Sequence, residues 1–365
     1  MRLLALLLAA SAAAGSHPEI RVGGFPTGIA LDRRTHTLYV GNGTTGTISV
    51  IDGRRCNAAS ARGCGRRVAA VTAGVDPVGI AVDESTNTVY AVNASGTVAA
   101  IDGRRCDAAN TSGCRAAPVL VRVGSDPQFV AVDQRTHTVY VANTSSNTLS
   151  VIGGARVRAT VRVGPLPFAV AVNEATDTVY VTDLGAATVS VIDGRTCNAR
   201  VTRGCGRRPA TVDVGTTPGG IAIDPRTDTI YVTGETSGDV SVIDGRTCNG
   251  SATAGCRRAP ARVAAGAGAR GVAVDSRTDT VYVANTAADT VSVIDGSRCN
   301  AADTSGCAQR AAAAPVGVSP RRVAVDEETG TVYVTNAGSN TVTVLDGRTC
   351  NGRVHTGCGR AGTVA

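Results

Sequence analysis

Gly220-Ile221-Ala222-Ile223-Asp224-Pro225-Arg226-Thr227-Asp228-Thr229-Ile230-Tyr231-Val232-Thr233-Gly234 is one copy of a phrase that the chain repeats seven times. A short apolar run ends in an acid, and Pro, Arg, Thr and Asp make a turn. The run after it is rich in β-branched and aromatic residues, as strands are. Outward from this core, Gly234 to Gly238 reads as a second turn and Asp239-Val240-Ser241-Val242-Ile243-Asp244 as a third strand. A loop bounded by Cys248 and Cys256 follows, then a fourth strand, Ala261-Arg262-Val263-Ala264, and Gly266 opens the turn into the next copy. Nothing in the unit has helical periodicity.

All seven tyrosines fall at the same point of the phrase: Tyr39, Tyr90, Tyr140, Tyr180, Tyr231, Tyr282 and Tyr333, spaced by 51, 50, 40, 51, 51 and 51 residues. Self-similarity at a fixed period marks a repeat architecture, in which most recurring residues are building material. Four short antiparallel strands repeated seven times give an all-β fold, a seven-bladed β-propeller of four-stranded antiparallel blades. A parallel β-helix is the rival, but its coils are shorter than this repeat. The expected organisation is a leader at 1–16 and one propeller at 17–365. Its blades lie near 24–73, 74–123, 124–163, 164–214, 215–265, 266–316 and 317–365, with 19–23 closing the ring. Thr363-Val364-Ala365 competes for that closing place. The third repeat is short because Val151-Ile152-Gly153-Gly154-Ala155-Arg156 runs directly into its fourth strand without a cysteine loop.

Arg2, the apolar run Leu3–Ala10 and the small residues through Ser16 have the layout of a secretory signal. The run is too short to cross a bilayer as a helix. The twelve cysteines form six pairs at one offset: Cys56 with Cys64, Cys106 with Cys114, Cys197 with Cys205, Cys248 with Cys256, Cys299 with Cys307 and Cys350 with Cys358. A constant offset inside a repeated loop favours local disulfides, whereas zinc needs four ligands, usually at tighter spacing. Closing so short a loop contributes about 2.5 kcal/mol in the chain-entropy picture. Bridges of this kind persist outside the cytoplasm, so the expected location is periplasm, cell surface or medium.

Tyr333-Val334-Thr335-Asn336, with Tyr180-Val181-Thr182-Asp183, Tyr140-Val141-Ala142-Asn143 and Tyr282-Val283-Ala284-Asn285 as near copies, resembles the motif of the YVTN-repeat, YncE-like family of seven-bladed propellers. Tyr90-Ala91-Val92-Asn93 and Tyr231-Val232-Thr233-Gly234 depart further. The resemblance covers residues 19 to 365 and implies a fold more than an activity, since propellers host unrelated functions. It raises DNA binding as one alternative function.

All 36 basic residues are arginine, which excludes lysine Schiff-base chemistry. Loops of a propeller alternate between its two faces. Sorted this way, 28 arginines and 21 acids fall on the face that carries the disulfide loops, so that face holds the whole net charge of +7. Arg54, Arg55, Arg66, Arg67, Arg207, Arg208, Arg257 and Arg258 are its candidate contacts for an anionic polymer. A solvated face of Arg–Asp pairs is the plainer reading, and no stacking platform for bases accompanies it. On the opposite face the channel mouth is lined by the turns into each first strand. Variation there, just after the Pro position, picks out Arg270, Arg321 and Arg322 with Gln128 and Phe168 as a candidate pocket for a small anion. Ordinary loop variation is the competing account. Only Asp76 and Asp126 stand near it as acids, too few for the ligand set of a metal-dependent lactonase. No catalytic residue, metal or cofactor is assigned. The reading is therefore a monomeric, exported, non-catalytic binding or surface-interaction module, with a lactonase-like enzyme as a second alternative. The partner stays open among a cell-envelope polyanion, nucleic acid and another protein.

Overall fold

The computed structural model describes residues 17–66 and 68–359. The expected leader at 1–16, Arg67 and the Thr363-Val364-Ala365 segment lie outside them. The described residues form seven four-stranded antiparallel sheets and two short 3-10 turns, Gly43–Thr45 and Ala254–Arg257. Among them no helix is long and apolar enough to cross a membrane.

In blade 1 the strands run Pro26–Asp32, Thr37–Asn42, Thr47–Asp52 and Ala69–Thr72 from the axis outward. The other blades repeat the order, except that the outer strand of blade 7 is supplied by Glu19–Arg21 from the N-terminal end. It pairs antiparallel with Thr341–Asp346, Glu19 opposite Thr343 and Arg21 opposite Thr341. Asp ends each first strand but one and folds the turn that follows. Asp32 Oδ1 accepts the N–H groups of Arg34 and Thr35 at 2.9 and 3.2 Å, and Asn173 does the same work in blade 4. Side chains one residue on tie neighbouring blades around the axis: Gln134 Oε1 accepts the N–H of Glu84, and Glu174 Oε1 that of Gln134.

The apolar core has no single centre. It is split into seven clusters, one at each blade–blade interface. The strands are apolar on both sides because each sheet is covered on both faces. Every tyrosine lies in such an interface. At six of the seven, the phenol donates to the carbonyl of the first cysteine in the following blade: Tyr39 to Cys106 at 2.9 Å, Tyr231 to Cys299 at 2.8 Å, and Tyr333 to Cys56 across the ring closure at 2.7 Å. Burial pushes these phenols far above their ordinary pKa, which keeps them as donors. The threonine two residues earlier accepts an N–H from the same loop, as Thr229 Oγ1 does from Ala301 at 2.8 Å.

All six cysteine pairs are the local disulfides that the constant offset predicts, and no described cysteine is free. Cys56 is bonded to Cys64 with a Cα–Cα distance of 4.9 Å. Cys106 is bonded to Cys114, Cys197 to Cys205, Cys248 to Cys256, Cys299 to Cys307 and Cys350 to Cys358, each at 4.7 Å. The second cysteines are buried as the first are: Cys64, Cys114, Cys205, Cys256, Cys307 and Cys358. Each pair therefore adds apolar sulfur to a blade interface besides closing its loop.

Two expectations follow from this packing. Tyr231→Phe leaves the Cys299 carbonyl without its donor and should cost about 1 kcal/mol, while Tyr90→Phe should cost nothing, since the Tyr90 phenol has no hydrogen-bond partner among the described residues. Parallel thermal denaturation of the oxidised proteins distinguishes them. Asp183 stands where five blades have Asn, fully buried, and accepts from Ser190 at 2.7 Å. Burial pushes it up to about 6 from 3.8. The unfolded chain then ionises first, so stability declines as pH rises from about 4 to about 6 and stays lower above that. Asp183→Asn should raise stability at pH 8 by up to about 2–3 kcal/mol, with the gain vanishing below pH 4 in a pH series of denaturation midpoints.

Candidate functional site

The lead-in turn of each blade places a residue with left-handed backbone just before the first strand. Phe25 (φ 54°) and Leu166 (φ 52°) hold this costly conformation without being glycine. A side chain from the preceding blade locks each turn: Asn340 Oδ1 accepts the Phe25 N–H at 2.7 Å and Asn147 Oδ1 that of Leu166 at 2.9 Å. The third residue of each first strand then faces the crowded axis. It is Gly28, Gly79, Gly220 and Gly271 in four blades, Ala169 in a fifth, and Phe129 and Arg322 in the last two. A Cβ on Gly271 would lie 2.4 Å from the Arg321 carbonyl oxygen. The small residues bring the inner strands together, and Phe129 and Arg322 occupy the space left between them.

These two side chains meet across the channel, the Arg322 guanidinium 4.0 Å from the Phe129 ring centroid and 5.4 Å from that of Phe168. Arg270 lies over Phe168 at 5.3 Å and Arg321 over Phe25 at 5.2 Å. All three phenylalanines of the chain thus converge on three arginines from blades 6 and 7, with Phe129 and Phe168 edge to face at 5.0 Å. Glu235 is the acid paired here; both its oxygens accept from Arg270 Nη1, at 2.8 and 3.0 Å. Arg322 has only 9% of its surface exposed. Its Nη1 donates to the Arg270 carbonyl at 3.3 Å, and its buried Nε has no partner. Burial first, then the neighbouring cations Arg270 and Arg321, push its guanidinium well below the ordinary value. Burial and then Arg270 likewise lower Arg321, whose buried Nε is also unpartnered.

The structure therefore brings together Arg270, Arg321, Arg322 and Phe168. Gln128 does not join them; its Nε2 turns back to Asp126 Oδ1 at 2.7 Å. Sequence reasoning also missed Phe25, Phe129 and Glu235. Glu235 corrects the expectation that Asp76 and Asp126 are the only acids at the mouth: it sits in the turn between the second and third strands of blade 5, outside the register of the lead-in turns. Phe129 was legible, with Arg322, as a bulky residue at a position that four blades fill with glycine.

On the opposite face, strand-end acids neutralise part of the arginine excess, as in Arg195–Asp193 at 2.9 Å and Arg246–Asp244 at 2.8 Å. Arg55 pairs with Asp52 at 3.3 Å. Arg54, Arg66, Arg207, Arg208, Arg257 and Arg258 are exposed with no ion pair among the described residues. The channel opens on this face as a cavity of about 690 Å³ whose polar lining includes Arg33, Glu84, Gln134 and Glu174. His36 and His137 stand in left-handed turns and lean on the preceding blade's acid, His137 Nδ1 2.9 Å from Asp83 Oδ2. Among the described residues no group of three or more His, Cys, Asp or Glu is arranged to hold a metal ion.

A seven-bladed propeller with a cationic, aromatic-walled channel mouth is thus the class defined by fold and site. A family model described as "Lactonase, 7-bladed beta-propeller" matches residues 37–357, and the chain belongs to that family. No curated protein matches the sequence. Among solved structures the chain is similar to Kuenenia stuttgartiensis hydrazine synthase, at TM-score 0.70 and 17% identity, over 93% of this chain and 98% of that one. It is also similar to virginiamycin B lyase from Staphylococcus aureus, at TM-score 0.64 and 10% identity, over 90% and 98% of the two chains. At these identities the likeness is one of fold.

Proposed function

We propose that this is an exported binding propeller whose site is the arginine–phenylalanine cluster at the channel mouth and whose ligand is a small anion. The observation that carries the reading is Arg322. A buried cation costs several kcal/mol when nothing offsets its desolvation, and stacking on desolvated aromatic faces returns about 2 kcal/mol. Glu235 is spent on Arg270. A carboxylate or phosphate accepting from the unpartnered N–H groups of Arg321 and Arg322 supplies the missing partner, and the phenylalanines shield that pair from water. Six disulfides support export, and the Tyr-Val-Thr-Asn phrase supports a place among YVTN-repeat, YncE-like propellers.

Calorimetric titration with inorganic phosphate and small mono- and dicarboxylates tests the reading. Saturable binding is expected, weakened roughly ten- to a hundredfold in Arg322→Met, the loss of hydrogen bonds from a charged donor. The thermal midpoint of that variant should not fall, because a buried charge is replaced by an apolar side chain of similar reach. Anion binding that Arg322→Met leaves intact contradicts the proposal.

Lactone hydrolysis is the second reading, favoured by the family and by Glu235 beside the guanidinium groups. Water adds to the lactone carbonyl, arginine N–H groups hold the oxyanion, and the ring C–O bond breaks to give a hydroxy acid. Glu235 takes the proton of the attacking water and returns it to the departing alkoxide. A pH-stat assay with simple γ- and δ-lactones should then show turnover that Glu235→Gln reduces at least a hundredfold. Anion binding without turnover leaves the binding reading alone.

A further inference from the structure

Six blades seat a disulfide loop on the blade before them, and the seats are chemically alike. A tyrosine phenol donates to the carbonyl of the cysteine, as Tyr140 does to Cys197 at 2.8 Å. The threonine two residues earlier accepts the N–H of the second residue after that cysteine, as Thr138 Oγ1 does from Ala199 at 3.0 Å. Between them stands Asn or Asp, whose Oδ1 closes the turn: Asn198 accepts from the N–H groups of Arg200 and Val201, both at 2.9 Å. The seated sequence is thus any carbonyl, then Asn or Asp, then Ala or Gly.

Blade 3 has no such loop. Its third and fourth strands, Thr148–Gly153 and Arg156–Arg162, join directly through Gly154 and Ala155. The seat on blade 2 is nevertheless built. Tyr90 holds the tyrosine position, 8% exposed where the other six are nearly or wholly covered, and its hydroxyl has no partner among the described residues. Thr88 is half-buried, whereas its six equivalents are buried. The surrounding cleft reveals what is missing. Between blades 1 and 2 one wall of the cleft is Ala108, Ala109 and Thr111 of the following loop, and between blades 4 and 5 it is Gly250 and Thr253. At blade 2 that wall is gone, and a cavity of about 270 Å³ has Thr88, Ile101, Arg105 and Pro118 in its lining. On the adjoining outer strand, Val119–Arg122, Val119 and Leu120 are 56% and 57% exposed.

We propose that the seat on blade 2 docks a turn from another protein, one that presents a backbone carbonyl followed by Asn or Asp and then Ala or Gly. Its carbonyl accepts from Tyr90, its Ala or Gly N–H donates to Thr88, and an apolar residue beside the turn covers Val119 and Leu120. The chemistry is that of the six occupied seats, continued at the one place in the ring where the chain supplies no occupant. All six disulfide loops are engaged on their own preceding blades, so a second copy has none to lend.

The test is titration of the full oxidised chain with a labelled, disulfide-closed peptide of the blade 4 loop, residues 196–206, followed by fluorescence anisotropy. One-to-one saturable binding is expected, weakened about five-fold by Tyr90→Phe and abolished by Thr88→Arg, which fills the seat. The same peptide with Asn198→Ala, unable to close its turn, should bind more weakly. Tyr90→Phe also keeps the experiment readable, because a phenol without a partner can be removed without unfolding the protein. Absence of binding, or binding equal in the wild type and both variants, overturns the proposal. So does concentration-dependent self-association in sedimentation that Thr88→Arg abolishes, since the occupant would then be a second copy.

Discussion

The hydrogen bond from a tyrosine phenol to the cysteine carbonyl of the next blade is the constraint on which the ring depends. A blade alone exposes two apolar faces and cannot bury either, so the cohesive unit is the interface. Each interface needs something that sets the height and rotation of one sheet on the next, which non-directional apolar contact does not supply. The phenol does this from within the core, and the threonine hydroxyl below it adds a second fixed point. The disulfide serves the same end. It holds the loop in the shape that offers its carbonyl and its N–H to the preceding blade, and both sulfurs join the apolar cluster there. Stapling and packing are therefore one device, repeated six times around the ring.

This regularity explains what could be read from the sequence. Tyrosine and threonine recur at every interface, and six of the seven use them alike, so strand order and blade number follow from their spacing, and cysteine pairing from the constant offset of 8. The mouth is another matter. Arg270, Arg321 and Arg322 stand out once the repeats are aligned, because glycine, alanine or threonine fills many of the equivalent places. Their partners do not stand out in the same way. Phe129 shares the register of Arg322, but Phe25 belongs to the lead-in turn and Glu235 to a turn between second and third strands, and only closure of the ring brings these registers together. Gln128 shows the converse: it varies at the right position, yet a nearby carboxylate in its own turn captures it.

The two faces of the disc manage charge differently. On the disulfide face, arginines next to strand-end aspartates are exposed, paired and screened, and surface pairs of this kind contribute little to stability. At the channel mouth the same residue type is stacked on aromatic rings, and Arg322 is shut away from water and short of acceptors. The paired arginines on the first face hold loop ends in place. Those at the mouth are in the surroundings where a single anion changes the local balance most.

The strand Glu19–Arg21 has a consequence for how the molecule is made. Its partner in the sheet lies more than three hundred residues later, whereas each disulfide spans a separation of 8. Local closure is entropically cheap and fast, and long-range pairing is slow. Oxidation can thus finish blade by blade, within each loop and without regard to order, before the ring exists. The correct cysteine is always the nearest one, and the closing strand sets its seal on a chain whose covalent bonds are already right.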